Sequence, residues 1–235
     1  MNISLIIFCY NESGNIENLI NSCFELIPQI SNSFEVLVVD DGSTDGTTEI
    51  LATLVKNNGS IKIITHPGNL GIGMALRSGY AAASKEYICA IPGDGQFDLH
   101  ELIDVKPFSR QSFYSFFRPK TDYNLYRKFL TASNKIFNRL LLGIQLKDVN
   151  WVKVYRKDQL DFLDMRMRSS IVESEICAKL IKSGCHPLEI PSVYHKRVGG
   201  EAKGGTWKAL SKVMKELLAL TWIVHTFKAD SFSEN

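Results

Sequence analysis

Four short segments carry the residue types in this chain best suited to chemistry: CYNES (Cys9–Ser13), VVDDGSTDGT (Val38–Thr47), GNLGIGMALRSG (Gly68–Gly79) and GDGQFD (Gly93–Asp98). Asp41, at the end of an apolar run, is placed to accept hydrogen bonds from a base or ribose edge. A helix amino end flanked by glycines, as around Gly71, lets a backbone approach a pyrophosphate closely. Asp94 and Gln96 offer oxygen ligands to a hard divalent cation that also touches a diphosphate. Each segment also has a plainer reading. Asp-Gly pairs form ordinary turns, GNLGIG matches a dinucleotide fingerprint only loosely, and Asp94 between glycines suits a turn former. Their joint occurrence, each at the end of an apolar run, favours the chemical reading.

The elements between them explain the placement. ISLIIFCY (3–10), FEVLVVD (34–40), IKIITH (61–66) and YICAI (87–91) are short β-branched runs, as expected of strands buried on both faces. Helical spacing predicts helices over 13–27, 47–57 and 71–84 between them. Alternating strands and helices predict a right-handed βαβ series on a parallel sheet, where ligands bind beyond the carboxyl ends of the strands. The second half is less regular. A short helix is expected over 99–105, strands over 112–117, 149–156 (antiparallel) and 186–197, and helices over 123–143, 174–184 and 207–227. The glycine-rich stretch 198–205 is the best candidate boundary, giving one α/β domain over 1–205 and a C-terminal amphipathic helix and tail over 206–235.

Composition narrows the classes. The 235 residues are 45% hydrophobic and 22% charged, which suits a chain with a sizeable core. A net charge of +2 argues against a nucleic-acid partner. The basic residues are nevertheless uneven: Arg110, Arg118, Lys120, Arg127, Lys128, Lys135 and Arg139 stand against Asp122 alone between 110 and 139. Such a surplus suits a phosphate-bearing ligand or an anionic surface as well as a solvated face. Five scattered cysteines without CxxC spacing read as reduced core residues of a cytoplasmic protein. No signal peptide and no membrane span are expected.

The series CYNES, VVDDGSTDGT, GNLGIGMALRSG and GDGQFD closely resembles the inverting family-2 glycosyltransferases with the GT-A fold. It is most similar to the branch containing dolichol-phosphate mannose synthase and bacterial polyprenyl-phosphate glycosyltransferases, over about residues 3–200. The resemblance implies an α/β fold with a mostly parallel central sheet flanked by helices. It implies a nucleoside diphosphate sugar donor held with Mg²⁺ or Mn²⁺, and a role in cell-envelope glycan synthesis. Tyr10, Asn11, Glu12, Asp40 and Asp41 would line the nucleoside pocket with Gly71 beside it. Asp94 and Gln96 would lie at the metal and diphosphate. By the same resemblance Arg118 and Arg127 would meet donor and acceptor phosphates, Asp148 carries over, and YHKRVGGEAK supplies His195, Arg197, Gly200 and Lys203.

Two departures stand out. Where many members have Asp-x-Asp, this chain has Pro92-Gly93-Asp94, so one carboxylate is missing, and Glu173 or Glu175 are the candidates to replace it. Trp151 and Val152 stand where a small residue and a glycine are common. The implied reaction is a single displacement at the anomeric carbon with loss of nucleoside diphosphate. A polyprenyl phosphate acceptor needs no general base, whereas a hydroxyl acceptor of a glycan precursor would, with Asp148 or Glu175 as candidates. A non-catalytic sugar-nucleotide binder and a nucleotidyltransferase are the competing classes. Along 207–227 an apolar stripe of Trp207, Leu210, Val213, Met214, Leu217, Leu218 and Val224 is flanked by Lys208, Lys212 and Lys215. It fits a peripheral contact with the inner face of a membrane, packing on the domain, or contact with a second copy or a membrane partner subunit.

Overall fold

The structure, a computed structural model, describes residues 1–119, 125–195 and 207–228, with the backbone alone for 57, 125–130 and 207–215. Four β-branched runs form β1 (Asn2–Cys9), β2 (Ser33–Asp40), β3 (Ile61–Thr65) and β4 (Tyr87–Pro92), joined through helices α1 (Ile16–Ile30), α2 (Thr47–Asn57) and α3 (Ile72–Ala82). A 3-10 turn follows over Leu99–Asp104, then β5 (Ser112–Phe117), α4 (Leu125–Leu142), β6 (Lys153–Arg156), α5 (Lys157–Phe162), α6 (Val172–Lys182), β7 (His186–Pro191) and α7 (Trp207–Thr226).

All seven strands share one sheet in the order β3-β2-β1-β4-β6-β5-β7. β1 pairs in parallel with β2 and β4, and β2 with β3. β6 is reversed, pairing antiparallel with β4 and β5, while β5 and β7 are parallel. The expected α/β architecture is therefore present, and its parallel half ends in the loops that carry the polar motifs. The central strands are buried on both faces: Leu5, Ile6, Ile7, Val36, Val38, Val39, Ile88, Cys89 and Ile91 have no more than 1% exposure. Edge strand β7 begins and ends near Pro187 and Pro191, which lack the N–H that would invite another strand.

Several expected boundaries shift. α1 continues past Pro28 to Ile30, because a proline in the last turn removes only one helical bond and its fixed φ suits a helix. The expected strand 149–156 is strand only from Lys153, since 149–152 forms a turn, and the strand expected over 186–197 ends at Pro191, with 196 and 197 outside the described residues. The short helix α5 was not expected: Gln159 caps its own amino end through Oε1 to the Arg156 N–H at 2.9 Å.

The C-terminal helix packs on the domain. Leu220 and Val224 are buried, Glu216 accepts from the Arg168 and Ser169 N–H groups, and Lys182 Nζ donates to the carbonyls of Val224 and His225. The expected stripe is thus divided: Val224 packs inward, whereas Leu218 points to solvent. All five cysteines are buried and free, as expected of reduced core residues.

Candidate active site

The loops after β1 and β2 are laced together by backbone-to-side-chain bonds. Asn11 N donates to Ser43 Oγ (2.8 Å), Thr44 N to Asn11 Oδ1 (2.7 Å), Glu12 N to Thr47 Oγ1 (2.9 Å) and Ser13 N to Asp45 Oδ2 (3.1 Å). Asn11 takes φ 56°, a left-handed conformation that asparagine tolerates better than branched residues. Burial alone would raise the Asp45 carboxyl, but the bonds from Thr47 and Ser13 hold it at about 2. Asp45 is therefore an ionised clasp between the two loops at neutral pH.

Asp40 and Asp41, both buried, organise the neighbouring backbone. Asp40 accepts from Ser43 N (3.0 Å) and Thr48 Oγ1 (2.6 Å). Asp41 accepts from Leu70 N (3.0 Å) and Gly71 N (2.8 Å), and its Oδ1 lies 2.7 Å from His66 Nδ1, whose other nitrogen meets Ser78 Oγ at 2.9 Å. One carboxylate so ties the end of β2 to the loop before α3. That loop also approaches closely on the other side: a Cβ at Gly42 (φ +72°) would fall 2.5 Å from the Gly68 Cα. Tyr10, Asn11, Glu12, Asp40, Asp41 and Gly71 thus form one cluster at the carboxyl ends of β1 and β2. Glu12 is turned partly to its own helix, accepting from Asn15 Nδ2 at 2.8 Å.

The β4 turn stands next to this cluster. Gly93 N donates to Phe8 O at 2.9 Å, and a Cβ on Gly93 would lie 2.7 Å from the Cys9 Cβ, so only glycine lets the turn follow β1 this closely. Asp94 Oδ1 accepts from Gln96 N (3.1 Å). Burial raises the Asp94 carboxyl above its ordinary value, opposed by the Gln96 N–H and the positive charge of Arg118. Gln96 Nε2 donates to Tyr194 Oη (2.7 Å) and to His195 O (3.3 Å), fixing the amide against the strand-like bridge between Phe97 and Tyr194. A cleft of about 400 Å³ opens between α1 and this turn, lined by Asn15, Asn18, Asp94, Asp98, His100 and His195 among others.

Arg118 closes the far side. It donates from Nε to Asp148 Oδ2 at 2.7 Å, and its guanidinium lies 4.2 Å from the Trp151 ring centroid and 5.5 Å from that of Tyr194. Trp151 is held in turn by Nε1–H to Ser192 Oγ (2.8 Å) and edge-on by Phe97. The sequence pointed to Arg118 and Asp148 but not to this aromatic support; the only signal was Trp151 itself, at a position where a small residue was expected.

Glu173 and Glu175 are engaged inside the core rather than at the turn. Glu173 accepts from the hydroxyls of Tyr80 (2.6 Å) and Tyr155 (2.8 Å), with Lys153 Nζ 3.7 Å away. Glu175 accepts from Arg166 N, Met167 N and Lys179 Nζ and has no exposed surface. Both candidates for the missing carboxylate and the base are thus already held by partners inside the core. Arg127 lies on α4 with its side chain undescribed, and Arg197 and Lys203 fall outside the described residues. Among the described residues no three His, Cys, Asp or Glu side chains converge to enclose a metal. Asp94 still fits a cation such as Mg²⁺, which keeps several waters and needs only one or two carboxylates when phosphates complete its shell.

Comparison with known proteins bears on the family and the fold. The model of the family described as Glycosyl transferase family 2 matches residues 4–163. The undecaprenyl-phosphate 4-deoxy-4-formamido-L-arabinose transferase of Aeromonas hydrophila is 26% identical over 86% of this chain and 63% of its own length. An uncharacterized glycosyltransferase of Synechocystis is 32% identical over 43% of this chain and 33% of its own. The chain therefore spans less than two-thirds of the length of these curated relatives. Among solved structures, glucosyl-3-phosphoglycerate synthase from Mycobacterium tuberculosis, in complex with Mn²⁺, UDP and phosphoglyceric acid, superposes with a TM-score of 0.66 at 17% identity, covering 97% of this chain and 80% of that one. TarS of S. aureus, in complex with UDP-GlcNAc, gives 0.62 at 18% identity, over 94% of this chain and 66% of that one. These structures share the GT-A fold with this chain, and the match over more than half its length shows that it belongs to glycosyl transferase family 2.

Proposed function

We propose that this chain transfers a sugar, with inversion, from a nucleoside diphosphate sugar to a polyprenyl phosphate. The observation that carries the reading is Asp94 in the turn at the carboxyl end of β4, beside the loops after β1 and β2 and under the field of Arg118. The curated relative from Aeromonas, whose name specifies undecaprenyl phosphate, supports the acceptor class. The solved structures with UDP or UDP-GlcNAc support the donor class.

The nucleoside would lie against the laced loops. Asp40 and Asp41 act there through the backbones they hold, Tyr10, Asn11 and Glu12 shape the wall, and Gly71 gives close approach at the amino end of α3. Asp94 and Gln96 would hold a Mg²⁺ or Mn²⁺ ion, which supplies charge stabilisation to the diphosphate as it leaves. Arg118, kept in place by Asp148 and Trp151, presents a fixed cation to the phosphates, with Arg127, Arg197 and Lys203 proposed for the same role. A phosphate oxygen of the acceptor forms the new bond to the anomeric carbon as the bond to the donor diphosphate breaks. The acceptor is already anionic, so no side chain need remove a proton.

A panel of nucleotide sugars scored by thermal shift, with and without Mn²⁺, identifies the donor. Transfer of that sugar to a polyprenyl phosphate completes the test. Stabilisation by a donor without transfer to any lipid phosphate would overturn the acceptor assignment, and would point to a protein that binds sugar nucleotides with Pro92 in place of a second acid.

A further inference from the structure

We propose that the outward faces of α4 and α7 form a docking surface for the interface of an anionic lipid bilayer. Eleven large hydrophobic side chains are strongly exposed among the described residues, and five of them sit on these two helices, which pack against each other. On α4 they are Ile136 (59% exposed), Leu140 (74%) and Leu141 (44%), and on α7 Leu218 (83%) and Trp222 (72%). Ile136 and Leu140, and likewise Leu218 and Trp222, are four residues apart and so share a helix face.

These are not the faces that hold the helices to the domain. Asn138 and Leu142 on α4 and Leu220 and Val224 on α7 are buried, and α7 is pinned through Glu216 at its middle and by Lys182 near its carboxyl end. Each helix therefore presents a second apolar surface after its packing surface is satisfied. A tryptophan on such a surface has a ring suited to the headgroup level of a membrane.

Charge selects the occupant. The α4 sequence carries Arg127, Lys128, Lys135 and Arg139 with no acid, and α7 carries Lys208, Lys212 and Lys215 with the single acid Glu216, which is engaged by the Arg168 and Ser169 amides. On α4 the exposed Lys135 and Arg139 are sequence neighbours of the exposed Ile136 and Leu140, and cations beside exposed apolar side chains match anionic headgroups over an acyl layer. Two copies meeting through this surface would oppose like charges. Among the described residues no helix is long and apolar enough to cross a membrane, so the contact is one of lying on the bilayer. The inference accords with a membrane-borne acceptor but does not depend on it.

The test is co-sedimentation of the full chain with phosphatidylcholine vesicles, with and without phosphatidylglycerol. Binding is expected to the anionic vesicles and to fall about tenfold or more on neutral ones or in high salt. The double variants L218A/W222A and K135E/R139E should each lose about tenfold or more in vesicle affinity while keeping the wild-type circular dichroism. Absence of binding to anionic vesicles, or binding unchanged in both variants, overturns the proposal. A concentration-dependent dimer in sedimentation velocity that L218A/W222A abolishes overturns it in favour of a second copy. Donor stabilisation is measured without lipid, and none of the four substituted residues is assigned to the donor site, so failure here and failure of the glycosyltransferase reading are separate results.

Discussion

The Arg118 guanidinium lies 4.2 Å from the centroid of the Trp151 ring while its Nε donates to Asp148 at 2.7 Å, so one cation is fixed by stacking and by an ion pair together. A planar guanidinium can satisfy both at once; a lysine ammonium cannot. R118K should therefore keep the charge but lose its placement, lowering kcat/KM by roughly tenfold or more with little change in Tm. W151L removes the stacking surface and should act in the same direction with Asp148 intact. Initial rates at varied donor concentration, together with a melting curve, check both. Wild-type kinetics in R118K would show that Arg118 has no role at the phosphates.

Asp94 carries a cost that function would explain. Burial raises its carboxyl above the ordinary value, despite the Gln96 N–H and Arg118. An acid whose folded pKa is raised binds more protons folded than unfolded, so its ionisation subtracts stability as pH rises through that window, and the deficit persists at neutral pH. D94N should then melt higher than wild type at neutral pH, by about 1–3 °C, while losing Mn²⁺-dependent donor stabilisation. Near pH 3, where Asp94 is protonated in both states, the Tm difference should shrink. A variant that binds donor with metal as well as wild type would remove Asp94 from the site.

Much of this was legible in the sequence. The β-branched runs fixed which strands are central, and the turn-rich segments between them named the loops where Asp41 and Asp94 lie. What the chain does with those acids was not legible. Asp41 reads as a carboxylate for a base or ribose edge, and nothing in the sequence signals that His66, Leu70 and Gly71, between 25 and 30 residues further on, converge on it. Glu173 and Glu175 likewise looked available, because sequence spacing says nothing of Tyr80 and Tyr155, which reach Glu173 from two other elements. The turn over 149–152 was read as strand because its apolar alternation is real; Lys153 reshapes it by donating to carbonyls within it.

The role of Asp41 can be measured. D41A leaves the N–H groups of Leu70 and Gly71 without their acceptor and frees His66, which should destabilise the protein by about 2–4 kcal/mol. If the 68–71 loop shapes the donor pocket, donor affinity should fall as well, whereas S78A, which touches only the far nitrogen of His66, should cost about 1 kcal/mol or less. Urea denaturation and donor titration separate the two effects. Full donor affinity in a folded D41A would show that the loop does not touch the donor.

Lys153 has 2% exposure, and its Nζ donates to Val149 O (2.5 Å) and Trp151 O (3.0 Å) while facing Glu173 at 3.7 Å. It thereby joins the buried tyrosine–glutamate network to the turn that carries Asp148 and Trp151. K153M should cost about 3–5 kcal/mol, because it removes the ammonium beside the buried Glu173 carboxyl along with the donor to two turn carbonyls. Adding E173Q should recover part of that loss, since the amide needs no counter-charge. The recovery should not extend to catalysis: the turn carbonyls still lack their donor, so the double variant should keep a lowered kcat with KM near wild type. Denaturation of the three variants, followed by kcat and KM for the stable ones, decides it. Restored turnover in the double variant would mean that Lys153 only neutralises Glu173 and does not position the turn.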